Sequence, residues 1–185
     1  MVLSPIPMHC YILIGGRSRR MGESKAGLFL PRVAAAAREA FDAVFAVQRF
    51  GGPAAEGIET LYEPPHEESA PAFGLLAALE HARARCVVLA VDYPSVTADV
   101  LRLLAMRVQA SRAAIVAPRW DGRLQPLFAG YDAVAVAPRL ASRIAAGRFD
   151  LHGLIAEAGA EAVEDLPVVR NVNTPEELQE AMKQV

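Results

Sequence analysis

Short, unbroken apolar runs alternate along this chain with segments of helical pattern, and that alternation restricts the fold more than any other feature. A run that is apolar at every position leaves no face for water, so it belongs to a strand covered on both sides. Residues 10–14 (Cys-Tyr-Ile-Leu-Ile) form such a run and stop at Gly15-Gly16, and residues 86–91 (Cys-Val-Val-Leu-Ala-Val) form the strongest one. Further strands are expected over 43–48, 58–62, 113–117 and 125–129. Helices are expected over 31–42, where proline suits a first turn and alanine favours helix, and over 73–83. Thr97 caps a helix through Arg107, with Asp99 placing acid in its first turn, where the helix dipole favours it. Helices follow near 133–146 and 151–158, and Thr174-Pro175-Glu176-Glu177 opens a last one. Gly51-Gly52-Pro53 reads as a turn, and the acidic, proline-rich segment 63–69 (EPPHEES) reads as irregular. Strands separated by helices pair in parallel through right-handed crossovers. The expected architecture is therefore a three-layer α/β/α sandwich with a mostly parallel, Rossmann-like sheet, in one domain spanning 1–185.

Composition removes several classes of function. The 185 residues are 53% hydrophobic and 22% charged, which fits a packed domain and not a disordered chain. A formal net charge of -2 gives no general attraction for a polyanion, so no nucleic-acid partner is expected. No apolar run approaches the roughly 20 residues that cross a bilayer, and residues 1–8 carry two prolines and no positive charge, unlike a signal peptide. The expected location is cytoplasmic, with no membrane partner. Cys10 and Cys86 each lie inside a strand-like run and read as buried thiols, too few for a disulfide framework or a zinc site. His9, His66, His81 and His152 are scattered and read as structural or solvent-exposed.

Two places carry chemistry. The loop Gly15-Gly16-Arg17-Ser18-Arg19-Arg20-Met21-Gly22-Glu23-Ser24-Lys25 follows the first strand. Its glycines let backbone N–H groups close on a ligand, and successive amides form an anion nest. Arg17, Arg19, Arg20 and Lys25 concentrate positive charge in an otherwise acidic protein, as a bound triphosphate requires. The spacing is neither Walker A nor the dinucleotide fingerprint. A surface turn with solvated arginines is the plainer alternative, weakened by the loop's position, because α/β sheets bind ligands at the carboxyl ends of their strands. The second place is Asp92-Tyr93-Pro94, at the end of the strongest strand. Mg²⁺ takes one or two carboxylates and completes its shell with phosphates and water, which suits Asp92. An Asp that merely caps the turn before Thr97 is the alternative.

Taken together, these motifs resemble the molybdenum cofactor guanylyltransferase family of nucleotidyltransferases. Leu13-Ile14-Gly15-Gly16-x-Ser18-x-Arg20-Met21-Gly22-x-x-Lys25 matches the family's opening signature, and Asn171-Val172-Asn173-Thr174-Pro175-Glu176-Glu177-Leu178 its terminal one. Pro71-Ala72-Phe73-Gly74-Leu75-Leu76, Asp92-x-Pro94 and Leu124-Gln125-Pro126-Leu127 fall between them in the family's order. The resemblance implies the fold of the nucleotide-diphospho-sugar transferases. It also implies transfer of GMP from GTP to the phosphate of molybdopterin-bound molybdenum, with Mg²⁺ and release of pyrophosphate. Leu13, Gly15 and Gly16 would then hold base and ribose, Arg20 and Lys25 the triphosphate, and Asp92 the Mg²⁺. Glu63 stands where the family has a nucleoside-contacting Asp, and Asn171 and Asn173 would lie on the acceptor or metal side. Other proteins of cofactor synthesis or molybdoenzyme maturation are the macromolecular partners implied.

The chain also departs from the pattern. Ser24 replaces an Asp, Ile14 an Ala, Ala70 a Gly, and Glu63 is one methylene longer than Asp. The Gly-Lys-Pro hairpin before the first helix is shortened, with Leu28-Phe29-Leu30 running into Pro31. Two alternatives follow: a relative that uses CTP or another phosphate acceptor, disfavoured by Gly15, and a nucleotide-binding module of the same pathway without turnover.

Overall fold

Among the described residues thirteen elements follow the alternating pattern, and their pairing departs from it in one half of the sheet. The computed structural model describes residues 4–14, 25–172 and 177, with residues 25 and 26 described by their backbone. In chain order the elements are β1 (Ile6–Leu13), α1 (Lys25–Ala40), β2 (Phe41–Gln48), β3 (Glu59–Tyr62), α2 (Pro71–Ala82), β4 (Arg85–Ala90) and α3 (Ala98–Ala110). There follow β5 (Ile115–Trp120), β6 (Arg123–Leu124), β7 (Phe128–Asp132), α4 (Ala133–Ala145), α5 (Leu151–Glu157) and β8 (Glu161–Val163). The strands form one sheet in the order β3-β2-β1-β4-β7-β5-β6, with β8 joined to β5.

The apolar run of β1 is divided by side-chain alternation between two cores. Cys10, Ile12 and Ile14 enter one cluster with Val33 and Ala37 of α1 and Leu101 and Leu104 of α3. Tyr11 and Leu13 enter the other with Leu75 and Leu79 of α2, Val136 and Leu140 of α4, and Leu154 of α5. β4 divides likewise, Val87 and Leu89 to the first and Cys86 and Val88 to the second. This two-sided burial is why both strands read as continuous apolar runs, and it gives the three expected layers. Cys10 and Cys86, on opposite faces, are both buried free thiols. Burial pushes the Cys86 thiol up to about 12, the charge of Asp132 adding to the effect.

β1, β2, β3 and β4 pair in parallel as expected. The expectation of parallel pairing fails at β7, which is antiparallel to both β4 and β5. The reason lies in the connection. β5 turns back into β6 through Asp121 (φ 49°) and Gly122 (φ 76°), pairing Trp120 with Arg123. Two left-handed residues make the tight hairpin that Asp-Gly favours, so no crossover helix intervenes. Residues 125–127, expected as strand, form the return, with Phe128 N–H donating to the Gln125 carbonyl at 3.1 Å. β8 is a strand the sequence did not announce.

α1 begins at Lys25, earlier than expected, and carries Pro31 in its interior. An interior proline costs about 3 kcal/mol. The added turn buries Phe29 and Leu30, and burial of each such side chain contributes about 1.5–3 kcal/mol, enough to offset it. The Thr97 cap is present, its hydroxyl accepting from Val100 N–H at 3.4 Å. Among the described residues, no helix is long and apolar enough to cross a membrane.

Gly130 of β7 faces α3 so closely that an added Cβ would lie 1.9 Å from Cγ2 of Val108. Gly130→Ala is expected to destabilise the protein by about 1–3 kcal/mol in urea unfolding, the usual cost of overpacking. Val108→Ala in the same chain should restore much of the loss. An unchanged midpoint for Gly130→Ala would show that β7 and α3 are not in this close contact.

Candidate functional site

The parallel strands end together, and backbone bonds beyond their ends hold the edge in register. Ile14 N–H donates to the Val47 carbonyl at 2.9 Å, Val91 N–H to the Leu13 carbonyl at 3.0 Å, and Glu63 N–H to the Gln48 carbonyl at 2.9 Å. The glycine-rich loop leaves this edge at Ile14 and rejoins the described chain at Lys25, the first residue of α1. Strand, loop and helix N-terminus in this order make an anion site. Gly15, Gly16, Arg20 and Asn173 lie outside the described residues, and Lys25 is placed by its backbone.

Leu13 and Glu63, fifty positions apart in the chain, meet on the α2 face of this edge. A Cβ on Gly74 would lie 2.8 Å from Oε1 of Glu63 and 3.3 Å from the Leu13 side chain. The missing Cβ is what lets the first turn of α2 approach both residues. Glu63 is 7% exposed, and its Oε2 lies 2.7 Å from Nε2 of His66. The other ring nitrogen of His66 is 2.6 Å from the Glu68 carbonyl, and its ring stacks on Phe73 with centroids 3.7 Å apart. Arg49 donates to the His66 carbonyl at 3.0 Å, tying the irregular segment to the end of β2. The sequence reading of His66 as structural or exposed missed this pairing. The available signal was a histidine three residues after Glu63 inside a segment with no periodicity of its own.

The second group lies beyond the end of β4. Asp92 follows Val91 by one residue, and the Asp92 carbonyl accepts from Val172 N–H at 2.8 Å. Asn171-Val172, the start of the terminal motif, is thereby laid beside Asp92-Tyr93-Pro94. Tyr93 is buried against Trp120 and Phe128, with ring centroids 6.1 and 5.1 Å away. Burial, and secondarily the Asp92 charge, holds the Tyr93 phenol well above its ordinary range, so it stays protonated at neutral pH. Tyr93, Trp120, Gln125 and Asn171 line a hollow of about 140 Å³. A larger hollow of about 470 Å³ lies on the α1 face of the same edge, between Ile14, Leu30, Arg38, Gln48 and Ile58. Among the described residues no three His, Cys, Asp or Glu side chains gather as a metal cage. A single half-buried carboxylate, that of Asp92, instead suits Mg²⁺, which leaves much of its shell to phosphate and water.

Comparison with known proteins places this arrangement. Residues 10–162 match the family described as the MobA-like NTP transferase domain. Two proteins named Probable molybdenum cofactor guanylyltransferase are similar over nearly their whole length. That of Pelotomaculum thermopropionicum is 32% identical over 189 residues, covering 92% of this chain and 89% of that protein. That of Mycobacterium tuberculosis H37Rv is 30% identical over 187 residues, covering 91% and 90%. Among solved structures, molybdopterin-guanine dinucleotide biosynthesis protein A from Archaeoglobus fulgidus superposes with a TM-score of 0.79 at 23% identity. It covers 96% of this chain and 98% of its own, and at that identity it speaks for the fold. The chain belongs to the MobA-like NTP transferase family of nucleotidyltransferases.

Proposed function

We propose that the protein transfers GMP from GTP to the terminal phosphate of molybdopterin-bound molybdenum, with Mg²⁺, and releases pyrophosphate. The observation that carries this reading is the convergence on one sheet edge of Leu13 and Glu63 on one side and Asp92 and Asn171 on the other. The glycine-rich loop follows Ile14, the residue after β1. The relatives named above are molybdenum cofactor guanylyltransferases, which supports GTP and a pterin phosphate as the two substrates.

In this reading the nucleoside lies at Leu13, Gly15, Gly16 and Glu63, and the triphosphate lies along the loop against Arg20 and Lys25. The acceptor approaches from the hollow of Tyr93 and Asn171, with Asn173 on the same side. An oxygen of the acceptor phosphate attacks the α-phosphorus in line. One P–O bond forms, the bond to the β-phosphate oxygen breaks, and pyrophosphate leaves with that electron pair. The attacking phosphate is already ionised at neutral pH, so no protein base is required. Arg20 and Lys25 hold the charge that builds on the leaving group, the largest contribution such a site can make. Mg²⁺, held by Asp92 with Asn171 or Asn173 beside it, would neutralise phosphate charge. Buried Cys86, with its thiol at about 12, is no nucleophile.

Three outcomes are expected. In thermal melts, GTP with Mg²⁺ should stabilise the protein, by about 2.7 kcal/mol at a hundred times its dissociation constant, whereas CTP, ATP and UTP should not. A shift with CTP alone would move the protein to cytidylyl transfer, and a shift with no nucleotide would sink the reading. Asp92→Asn should keep the melting temperature of the free protein and lose Mg²⁺-dependent pyrophosphate release; undiminished release would remove Asp92 from the metal site. Gly74→Ala should raise the KM for GTP at least several-fold, because its Cβ meets Glu63 and Leu13. An unaltered KM would place the nucleoside elsewhere.

A further inference from the structure

We infer that His66 is a positioning residue for nucleotide recognition, fixing one oxygen of Glu63 so that the other faces the nucleoside. The inference rests on the guanylyl-transfer reading above and adds a residue to it.

The geometry of the pair is specific. Glu68 O is a carbonyl and can only accept, so the His66 Nδ1 at 2.6 Å carries a hydrogen. The Nε2 meets Oε2 of Glu63 at 2.7 Å, so a second hydrogen bond ties the ring to that carboxyl oxygen. The imidazole has little freedom to leave. Its ring lies 3.7 Å above Phe73 at 10°, Phe73 packs on Phe149, and the His66 side chain is 8% exposed.

With Oε2 held, Oε1 is directed to the space between Leu13 and Gly74. A fixed carboxylate oxygen at that place selects a ligand offering N–H or O–H donors, which a nucleoside presents on its base edge and on its ribose. Glutamate has one more rotatable bond than aspartate, so its free carboxylate is harder to aim. The His66 bond removes that freedom before the ligand arrives, and preorganisation of this kind appears as affinity. His66 touches neither the reacting phosphorus nor the acceptor in this arrangement, so its effect belongs in nucleotide binding and not in turnover.

The test is a double-mutant cycle on steady-state pyrophosphate release, with the acceptor saturating, comparing wild type, Glu63→Ala, His66→Ala, His66→Gln and the Glu63→Ala/His66→Ala double variant. Melting temperatures of the free proteins are measured alongside. His66→Ala is expected to raise the KM for GTP about ten- to a hundred-fold, the range for a hydrogen bond to a charged group, with kcat within about three-fold of wild type. His66→Gln, whose amide still donates to Oε2, should recover most of the loss. In the Glu63→Ala background, His66→Ala should change the KM no further, because the residue acts through the carboxylate. Effects that simply add, or a wild-type KM in His66→Ala, would overturn the inference and leave guanylyl transfer standing. A GTP-independent loss of melting temperature with no recovery by His66→Gln would assign His66 to folding alone. Wild-type protein that no nucleotide stabilises would overturn the parent reading, and this one with it.

Discussion

Val91 N–H reaches the Leu13 carbonyl one residue beyond the end of β4, and through that rung the two chemical ends of the site share a frame. Leu13 ends the strand that launches the glycine-rich loop, and Asp92 follows Val91 directly. β1 and β4 are buried on both faces, so neither can slip in register without moving a set of side chains from one core to the other. The rungs Ile14 to Val47 and Glu63 to Gln48 extend the frame to β2 and β3. What the site needs is relative position across four strands, and a doubly covered parallel sheet supplies it with backbone bonds alone.

Charge is arranged locally within that frame. The chain carries a net charge of -2, so no long-range field draws a triphosphate in. In the proposed reading Arg20 and Lys25, five positions apart in the chain, supply the cations for the phosphates. Glu63 is hydrogen-bonded to His66, and Asp92 is the carboxylate proposed for Mg²⁺, whose remaining shell the phosphates would complete.

Legibility in the sequence followed the physics of each element. The strands of the parallel half were readable because two-sided burial writes an uninterrupted apolar run, and Thr97 was readable because a cap is a local matter. The antiparallel β7 was not recognised, although Asp121-Gly122 carries the two-residue hairpin signature. Alternation with helices was given more weight than the turn. The start of α1 was set at Pro31 because proline favours a first turn, and burial of Phe29 and Leu30 carried the helix back to Lys25. In the candidate site the motifs single out Leu13, Glu63, Asp92 and Asn171, and the structure sets Leu13 and Glu63 against Gly74 and Val172 against Asp92. His66 was not legible, since nothing in EPPHEES foretells that an irregular segment folds back to stack its imidazole on Phe73.

The departures from the family pattern bear on the site unequally. Ala70, in place of a glycine, is the N-cap of α2 with φ -142° and ψ 143°, extended backbone that any residue adopts, so the exchange carries no strain. The shortened segment before Pro31 is absorbed as an additional turn of α1, with Phe29 and Leu30 buried. Glu63 in place of Asp is the departure that alters the edge itself, for a longer side chain needs both room and restraint. The Cβ-less Gly74 gives the room and His66 the restraint. The substitution is thus one part of a three-residue arrangement, and restoring aspartate alone would leave its carboxylate short of His66. The consequence is directional: the shorter acid at position 63 gains less from His66 than glutamate does, so the two residues are coupled in this chain in a way the motif alone does not convey.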